Sequence, residues 1–598
     1  MSLFTERRQL LALAATAVGA TVVAGCAKPP VETKPLEVEP TSTSEATGRP
    51  SANTPAPAPT VAAPPLAEAS PVTGDVPLGV LVFNRLAFGP RPADLEHFAA
   101  LPGAGPREQL AAWLDEQLDP TLDDAELESL LAANNLTTLT KTPKQIWEEH
   151  VNYDPDNDEA WRIYAQPGSE ARLAAYLRVV HSRRQLFEVL VDFWHNHFNV
   201  YGPHDQALPY FGLYDRDAIR AHTLGNFGAM LSAVARHPAM LYYLDQYTSQ
   251  APRPNENFAR ELLELHTLGA MNYLGVKDPT TIDGFREGEV GGYVDNDVYE
   301  AARAFSGWRV GDNTEGWEGE HVPANGEFYY HAEWHDRFNK IFLGRILAAD
   351  QADLADGEQV LDLLARHPGT ARHIATKLAR RLIADDPPEE AVTAGAEAFL
   401  AHLDAPDQLA QVVRAIVLTD AFLTSWGGKI KRPLETAFSA IRALDARLER
   451  PTDDLTWMLG RMGQPMFEHI APNGYADVRA AWSSTVSVLT RWQFTAMLAH
   501  GWITEWNEKD PDNSRPLFTF DLIGPSPESR TPRALAEAWP TRLLGRPLQD
   551  AEVAQDLARF VAGEYYGLDD PILDDEYLLW RLPGMINLVF MSPDFLLR

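Results

Sequence analysis

Beyond residue 75, apolar side chains recur mainly at i, i+3 and i+4, the spacing of helices that bury one stripe. The pattern predicts helices over Ala171 to Trp194, Leu224 to Ala235, Asn257 to Leu268, Val298 to Phe305, Gly357 to Ala365, Thr370 to Ile383 and Leu409 to Leu418. Residues that close helices stand where they should: Gly269 follows Leu268, and Pro238 and Pro368 lie just past Arg236-His237 and Arg366-His367. Strict alternation is rare and short, best seen from Glu327 to Tyr330. The expected fold is mainly α, a large multi-helix body with long loops and few short strands. The longest loops run from Asn272 to Asp295 and from Gly311 to Asn339. "ARHPAM" (Ala235–Met240) and "ARHPGT" (Ala365–Thr370) echo each other without amounting to a repeat architecture. A body of about 520 residues exceeds what one core usually serves, so two or more subdomains are expected.

The N-terminus departs from this pattern. Arg7-Arg8 precede an apolar and small-residue run from Leu10 to Ala24, which ends in Val23-Ala24-Gly25-Cys26. Residues 1–25 therefore read as a signal peptide. The ending resembles the lipobox of bacterial lipoproteins, in which Cys26 would carry the lipid, and the paired arginines resemble a twin-arginine export signal. Cys26 is the only cysteine of the chain, which leaves no disulfide framework. From Ala27 to Gly74, 11 of 48 residues are proline, so 26–75 reads as an extended tether that cannot bury a core. No later stretch has the roughly 20 apolar residues of a membrane span. The expected location is the exported face of a bacterial membrane, the membrane itself being held through the lipid.

Net charge narrows the partners. At −33, the chain repels phosphate backbones, so nucleic-acid binding is not expected. A polyanionic polymer is disfavoured too, unless a local basic pocket overrides the mean charge.

Candidate chemistry gathers at three places. In "DFWHNHFNV" (Asp192–Val200), a continuous helix puts His197 on the apolar face with Leu186, Leu190 and Phe193. His195 then lies on an acidic stripe with Glu188 and Asp192. On such a helix His195 and His197 point apart; they share one ion only if the helix ends between them. His197 reads either as a metal ligand or as a buried imidazole satisfied by a backbone carbonyl. Asp192 and His195 read either as ligands or an acid–base couple, or as a solvated face. In "NENFARELLELH" (Asn255–His266), Asn255 suits a helix start, and Arg260 lies one turn from Glu256 and Glu264. Glu261 lacks such a local partner and would need a metal, a cation or a proton if turned inward. In "HAEWHD" (His331–Asp336), His335 and Asp336 sit at the end of a loop before Lys340.

Six ordered stretches resemble a bacterial family, the domain of unknown function 1800: "FWHNHF" (Phe193–Phe198), "NENFARELLELHTLG" (Asn255–Gly269), "DVYEAARAFSGW" (Asp297–Trp308), His335-Asp336 with Lys340 and "FLG", "KIKRPLE" (Lys429–Glu435) and "MGQPMF" (Met462–Phe467). Phe338 stands where that family often has glycine, and "NGYAD" (Asn473–Asp477) departs from its commoner Gly-Trp form. The resemblance covers roughly Pro77 to His500. It implies an exported helical protein with no settled reaction, and a partner from an exported family of unknown function numbered 1501. On this basis 76–505 is taken as the family's helical domain and 506–598 as a C-terminal helical extension packed on it.

Two functions stay open. One is a metal-dependent hydrolase acting on an extracellular polymer, with Asp192, His195, His197 and His335 as ligands and Glu261, Glu264, His266 and Asp336 as catalytic groups. Its ligand types suit Zn, Mn or Fe. Its variants are a di-iron bundle built on Asp192-x-x-His195 and a metal-free glycosidase using Glu261 and Asp336. The other is a non-enzymatic tethered binding or assembly protein whose motifs fix helix packing. The first requires His195, Glu261 and His335 to converge on one accessible cavity.

Overall fold

The periodicity expected to run unbroken from 171 to 194 divides into two helices, Ala160–His181 and Gln185–His197. The break at Ser182–Arg184 is held by polar groups that satisfy the loose helix ends. Asp124 accepts the Ser182 hydroxyl (2.6 Å) and the Arg183 N–H (2.8 Å), while the Gln185 amide donates to the carbonyls of Val179 and Ser182. The computed structural model describes residues 76–152, 159–313, 322–505, 515–522 and 530–598. The expected signal peptide, Cys26 and the expected tether to residue 75 lie outside the described residues.

The other expected helices form close to where the pattern puts them: Phe227–Arg236, Glu256–Glu261, Asp295–Ala304, Ala355–Ala365, Pro368–Leu382 and Gln408–Val417. Asn226 and Asn255 cap two of them through their side-chain oxygens. The echo of "ARHPAM" and "ARHPGT" is a shared local structure. In each, the histidine is the N-cap, its Nδ1 accepts the N–H two residues on (3.2 Å at Ala239, 2.9 Å at Gly369), and proline opens the next helix. Among the described residues, strands occur only as four two-stranded antiparallel pairs, the longest joining Trp308–Asp312 to Ala324–Tyr330. The fold is mainly α, as expected.

The described residues form one compact unit, and one contiguous cluster of buried apolar side chains reaches from Leu81 to Phe595. The expected subdomains are thus helical packing groups that share a core. The C-terminal helix Asp575–Met591 contributes Leu578, Leu582, Met585, Ile586 and Val589 to that core. Beyond it the backbone of Arg598 and Leu596 pairs with Lys429 and Lys431, which carries the Arg598 side chain to the interior with 1 % exposure. No helix of the described residues is long and apolar enough to cross a membrane.

Candidate functional site

The Gln185–His197 helix runs through both histidines, so they diverge. His197 donates from Nε2 to the carbonyl of His266 (3.0 Å) and lies parallel to Phe193. Burial, with Lys377, His266 and His373 nearby, keeps its imidazole neutral, far below the ordinary value. His195 turns the other way and places Nε2 2.9 Å from Asp215 Oδ1. Asp215 also receives Arg220 (2.9 Å) and Arg178 (3.2 Å). Burial alone would raise its carboxyl, but Arg220, His195 and Arg178 outweigh that and hold it far below the usual carboxylate range. Glu188 pairs with Arg220, and Asp192 with Arg432 at 2.6 Å. The acidic stripe is therefore split in two: Arg220 bridges Glu188 and the Asp215 that meets His195, while Asp192 goes to Arg432.

The second stretch starts as an α-helix and changes to a π-turn over Leu262–His266, which shifts the later side chains around the axis. Arg260 pairs with Glu256 as expected (3.2 Å), but its other acid is Asp295 and not Glu264. Glu261 is half-buried and makes no hydrogen bond or ion pair among the described residues; burial and then Glu264 raise its carboxyl, with Arg260 partly opposing. His266, expected as a base, is fully buried, held neutral at about 3 by burial, and neither ring nitrogen has a hydrogen-bond partner among the described residues.

The third stretch is a clasp. His335 donates from Nδ1 to the Ser306 carbonyl (2.9 Å) and faces Asp356 with Nε2 (3.1 Å). Lys340 reaches the same Asp356 (2.6 Å), and Asp336 is gripped by Arg303 through two bonds of 2.9 and 3.0 Å. Phe338 sits with ordinary negative φ, so this turn needs no glycine. Asp192, His195, Glu261 and His335 thus turn to different surroundings, and the described residues contain no group of three or more His, Cys, Asp or Glu able to hold a metal ion. The expected single ligand set does not assemble: Asp192 meets Arg432 and Asp336 meets Arg303, partners that the local sequence did not reveal, while Glu261 faces neither.

What does assemble lies at the C-terminal end of the Gln185–His197 helix. The loop from Glu468 to Asp477 is fastened to it: Asn196 Oδ1 accepts the Tyr475 N–H (3.0 Å), and Asn199 donates to the carbonyls of His469 and Ala471 (2.9 and 2.8 Å). Gly474 allows this approach. Its φ is +70°, and a Cβ there would lie 2.2 Å from the Asn196 carbonyl oxygen. Asn196 and Tyr475 separate two hollows. The smaller, about 20 Å³, is water-sized and touches Asp192, His195 and Gln464. The larger, about 160 Å³, is lined by His197, Lys377, Arg380, Arg381, Arg432 and Asp477.

The charges around this larger cavity are unequal. Glu435 sits beneath it and receives Arg381, Arg598 (3.0 Å) and Arg432 (3.2 Å). Burial would raise the Glu435 carboxyl, yet these three guanidiniums hold it well below its ordinary value. Asp477 is likewise held at about 2 against the effect of burial, by Lys429 (3.2 Å away), Arg381, Arg432 and Arg598. Arg380 makes one bond, from Nε to the Asp385 carbonyl (2.9 Å), and has no carboxylate partner among the described residues. Lys377 makes no hydrogen bond or ion pair with them at all; burial, then Arg380, lower its amine to about 8. Open grooves elsewhere are larger, one of about 570 Å³ beside Trp161 and one of about 580 Å³ beside His367, but neither draws on more than one of the six motifs.

A family model described as "Protein of unknown function (DUF1800)" matches residues 81–597. The chain belongs to the DUF1800 family. The DUF1800 match runs well past the expected end near His500, in keeping with the shared core, so the helices after 505 are part of the family region. No curated protein and no solved structure matches the chain. Of the DUF1800 motifs, "FWHNHF" and "KIKRPLE" supply His197 and Arg432 to the larger cavity, while "MGQPMF" lines the smaller one. Sequence reasoning missed Lys377, Arg380, Arg381 and Asp215. "KLARR" (Lys377–Arg381) was the available signal, three cations in five positions of an acidic chain. It reads as a solvated helix end until the fold turns it inward.

Proposed function

We propose that this DUF1800 protein is a surface-tethered binding protein that captures an anionic group in the cavity between the Pro368–Leu382 helix and the loop 473–477. One observation carries this reading. In a chain of net charge −33, Arg380 and Lys377 open onto a cavity without a carboxylate partner, beside Arg381 and Arg432. A guanidinium that lacks a counter-ion in a partly dry site gains most from an oxyanion, through charge-assisted hydrogen bonds. A volume of about 160 Å³ suits a phosphate, a sulfate or a carboxylate head, and not the middle of a polymer. The signal-like N-terminus and Cys26 support a site held off the exported face of a membrane by the proline-rich tether. A protein of the exported family numbered 1501 is the proposed partner, on the strength of the resemblance alone.

Calorimetric titration of the full chain with inorganic phosphate and with sulfate, at low salt and pH 7, tests the proposal. Saturable single-site binding is expected, weakened about tenfold by Arg380→Gln, the loss of one charge-assisted bond. Equal affinity of wild type and Arg380→Gln for both anions refutes it.

A further inference from the structure

Lys377 is the one side chain of this cavity whose polar atom has no role in the fold. Arg381 and Arg432 hold Glu435 and Asp192, Asp477 holds Lys429, and His197 holds the His266 carbonyl. Arg380 donates to a backbone carbonyl. The Lys377 Nζ has neither an acceptor nor a counter-ion among the described residues. The groups facing it are Arg380, Arg381 and His373 on its own helix, the neutral imidazoles of His197 and His266 from the other motifs, Arg432 across the cavity, and Asp477, whose carboxylate partly offsets the cations. The acids nearest the cavity, Asp477 and Asp192, are committed to Lys429 and Arg432. An ammonium so placed gives up its proton more readily than one in water, because burial and like charges both act against the charged form. Its lone pair then faces the same space as the guanidiniums of Arg380, Arg381 and Arg432. A plain oxyanion uses only the guanidiniums; a ligand that also carries a carbonyl carbon uses the amine as well.

Resting on the anion-binding reading above, we infer that the cavity takes a small oxo-acid or carboxylate-bearing aldehyde and captures it as an imine on Lys377, with Arg380 and Arg432 holding the anionic end. The Nζ lone pair forms a C–N bond to the carbonyl carbon as the carbonyl π pair moves to oxygen. The carbonyl oxygen then leaves as water with the two former amine protons, and C=N remains. Nothing is oxidised or reduced, so the capture is reversible and needs no co-reactant.

The experiment treats the full chain with glyoxylate and sodium borohydride, whose hydride reduces the imine to a stable secondary amine, and maps the carboxymethyl increment by peptide mass spectrometry. At pH 7 Lys377 is expected to be labelled about tenfold more than the exposed Lys277. Inorganic phosphate should protect it. Lys377→Arg leaves a cation in the cavity but no nucleophilic amine, so the labelled peptide should be lost. Labelling spread over surface lysines without preference for Lys377, in a protein that binds phosphate, overturns the imine and leaves the anion site standing. Absence of phosphate binding in both wild type and Lys377→Arg overturns the anion site, and preferential labelling of Lys377 without phosphate protection keeps the reactive amine while discarding its guanidinium cradle.

Discussion

Glu435→Gln removes one charge and almost no volume from beneath the cavity. Glu435 Oε1 accepts from Arg381 and from Arg432 at 3.2 Å and lies 3.0 Å from Arg598 as an ion pair, while Oε2 accepts the backbone Arg432 N–H at 2.8 Å. Each guanidinium is no more than 3 % exposed, so water replaces the lost anion poorly. Glutamine keeps one acceptor, turns an NH2 toward at least one guanidinium and leaves three buried cations around a neutral group. Breaking a buried pair by removing one partner costs about 3–5 kcal/mol; Arg432 and Arg381 keep Asp192 while Arg598 loses its carboxylate, and about 4 kcal/mol is expected. That is a nearly thousandfold shift in the folding constant. Urea unfolding at pH 7, followed by the fluorescence of the 15 tryptophans, measures the difference. The pH dependence supplies a second check. The folded carboxyl of Glu435 lies well below its unfolded value near about 4.3, so its contribution is complete above that value and is lost as pH falls through the folded one. The gap between wild type and Glu435→Gln should therefore be widest at neutral pH and narrow toward strong acid. A difference below about 1 kcal/mol at pH 7, or one that grows on acidification, would show that these arginines find solvation elsewhere.

Gly474→Ala puts a methyl into a left-handed backbone position, with its Cβ 2.2 Å from the Asn196 carbonyl. It should cost about 2 kcal/mol in urea unfolding and weaken phosphate binding, because the loop bearing Tyr475 and Asp477 must shift; unchanged affinity with unchanged stability would unseat the loop from the site. Glu261→Gln should act with the opposite sign. The folded carboxyl is raised above its unfolded value, so ionisation of Glu261 costs stability as pH rises through that window. The variant should be more stable than wild type at pH 7, lose that advantage below about pH 4 and bind phosphate normally; a destabilised variant at neutral pH would mean Glu261 has a cationic partner in solution.

What was legible in the sequence was local. Helical spacing, Asn255 as a cap, Gly269 as a stop and the divergence of His195 from His197 all depend on residues within a few positions of one another. The break at Ser182–Arg184 escaped detection because its decisive group, Asp124, lies 58 and 59 positions away from the residues it caps. The candidate metal ligands stand apart for the same reason. Asp192 looks free until Arg432, 240 positions later, arrives to neutralise it.

The sequence by itself determined that this would be a large helical body and which residue types were available to it, because apolar periodicity and caps act over single turns. It named Arg432 and the two histidines without saying what they face. Only the tertiary structure decided the charge balance of the cavity, because an ion pair depends on distance in space and falls off within a few ångströms, whatever the separation along the chain. The fold spent its buried acids on Arg381, Arg432, Arg598 and Lys429 and left Lys377 and Arg380 without one.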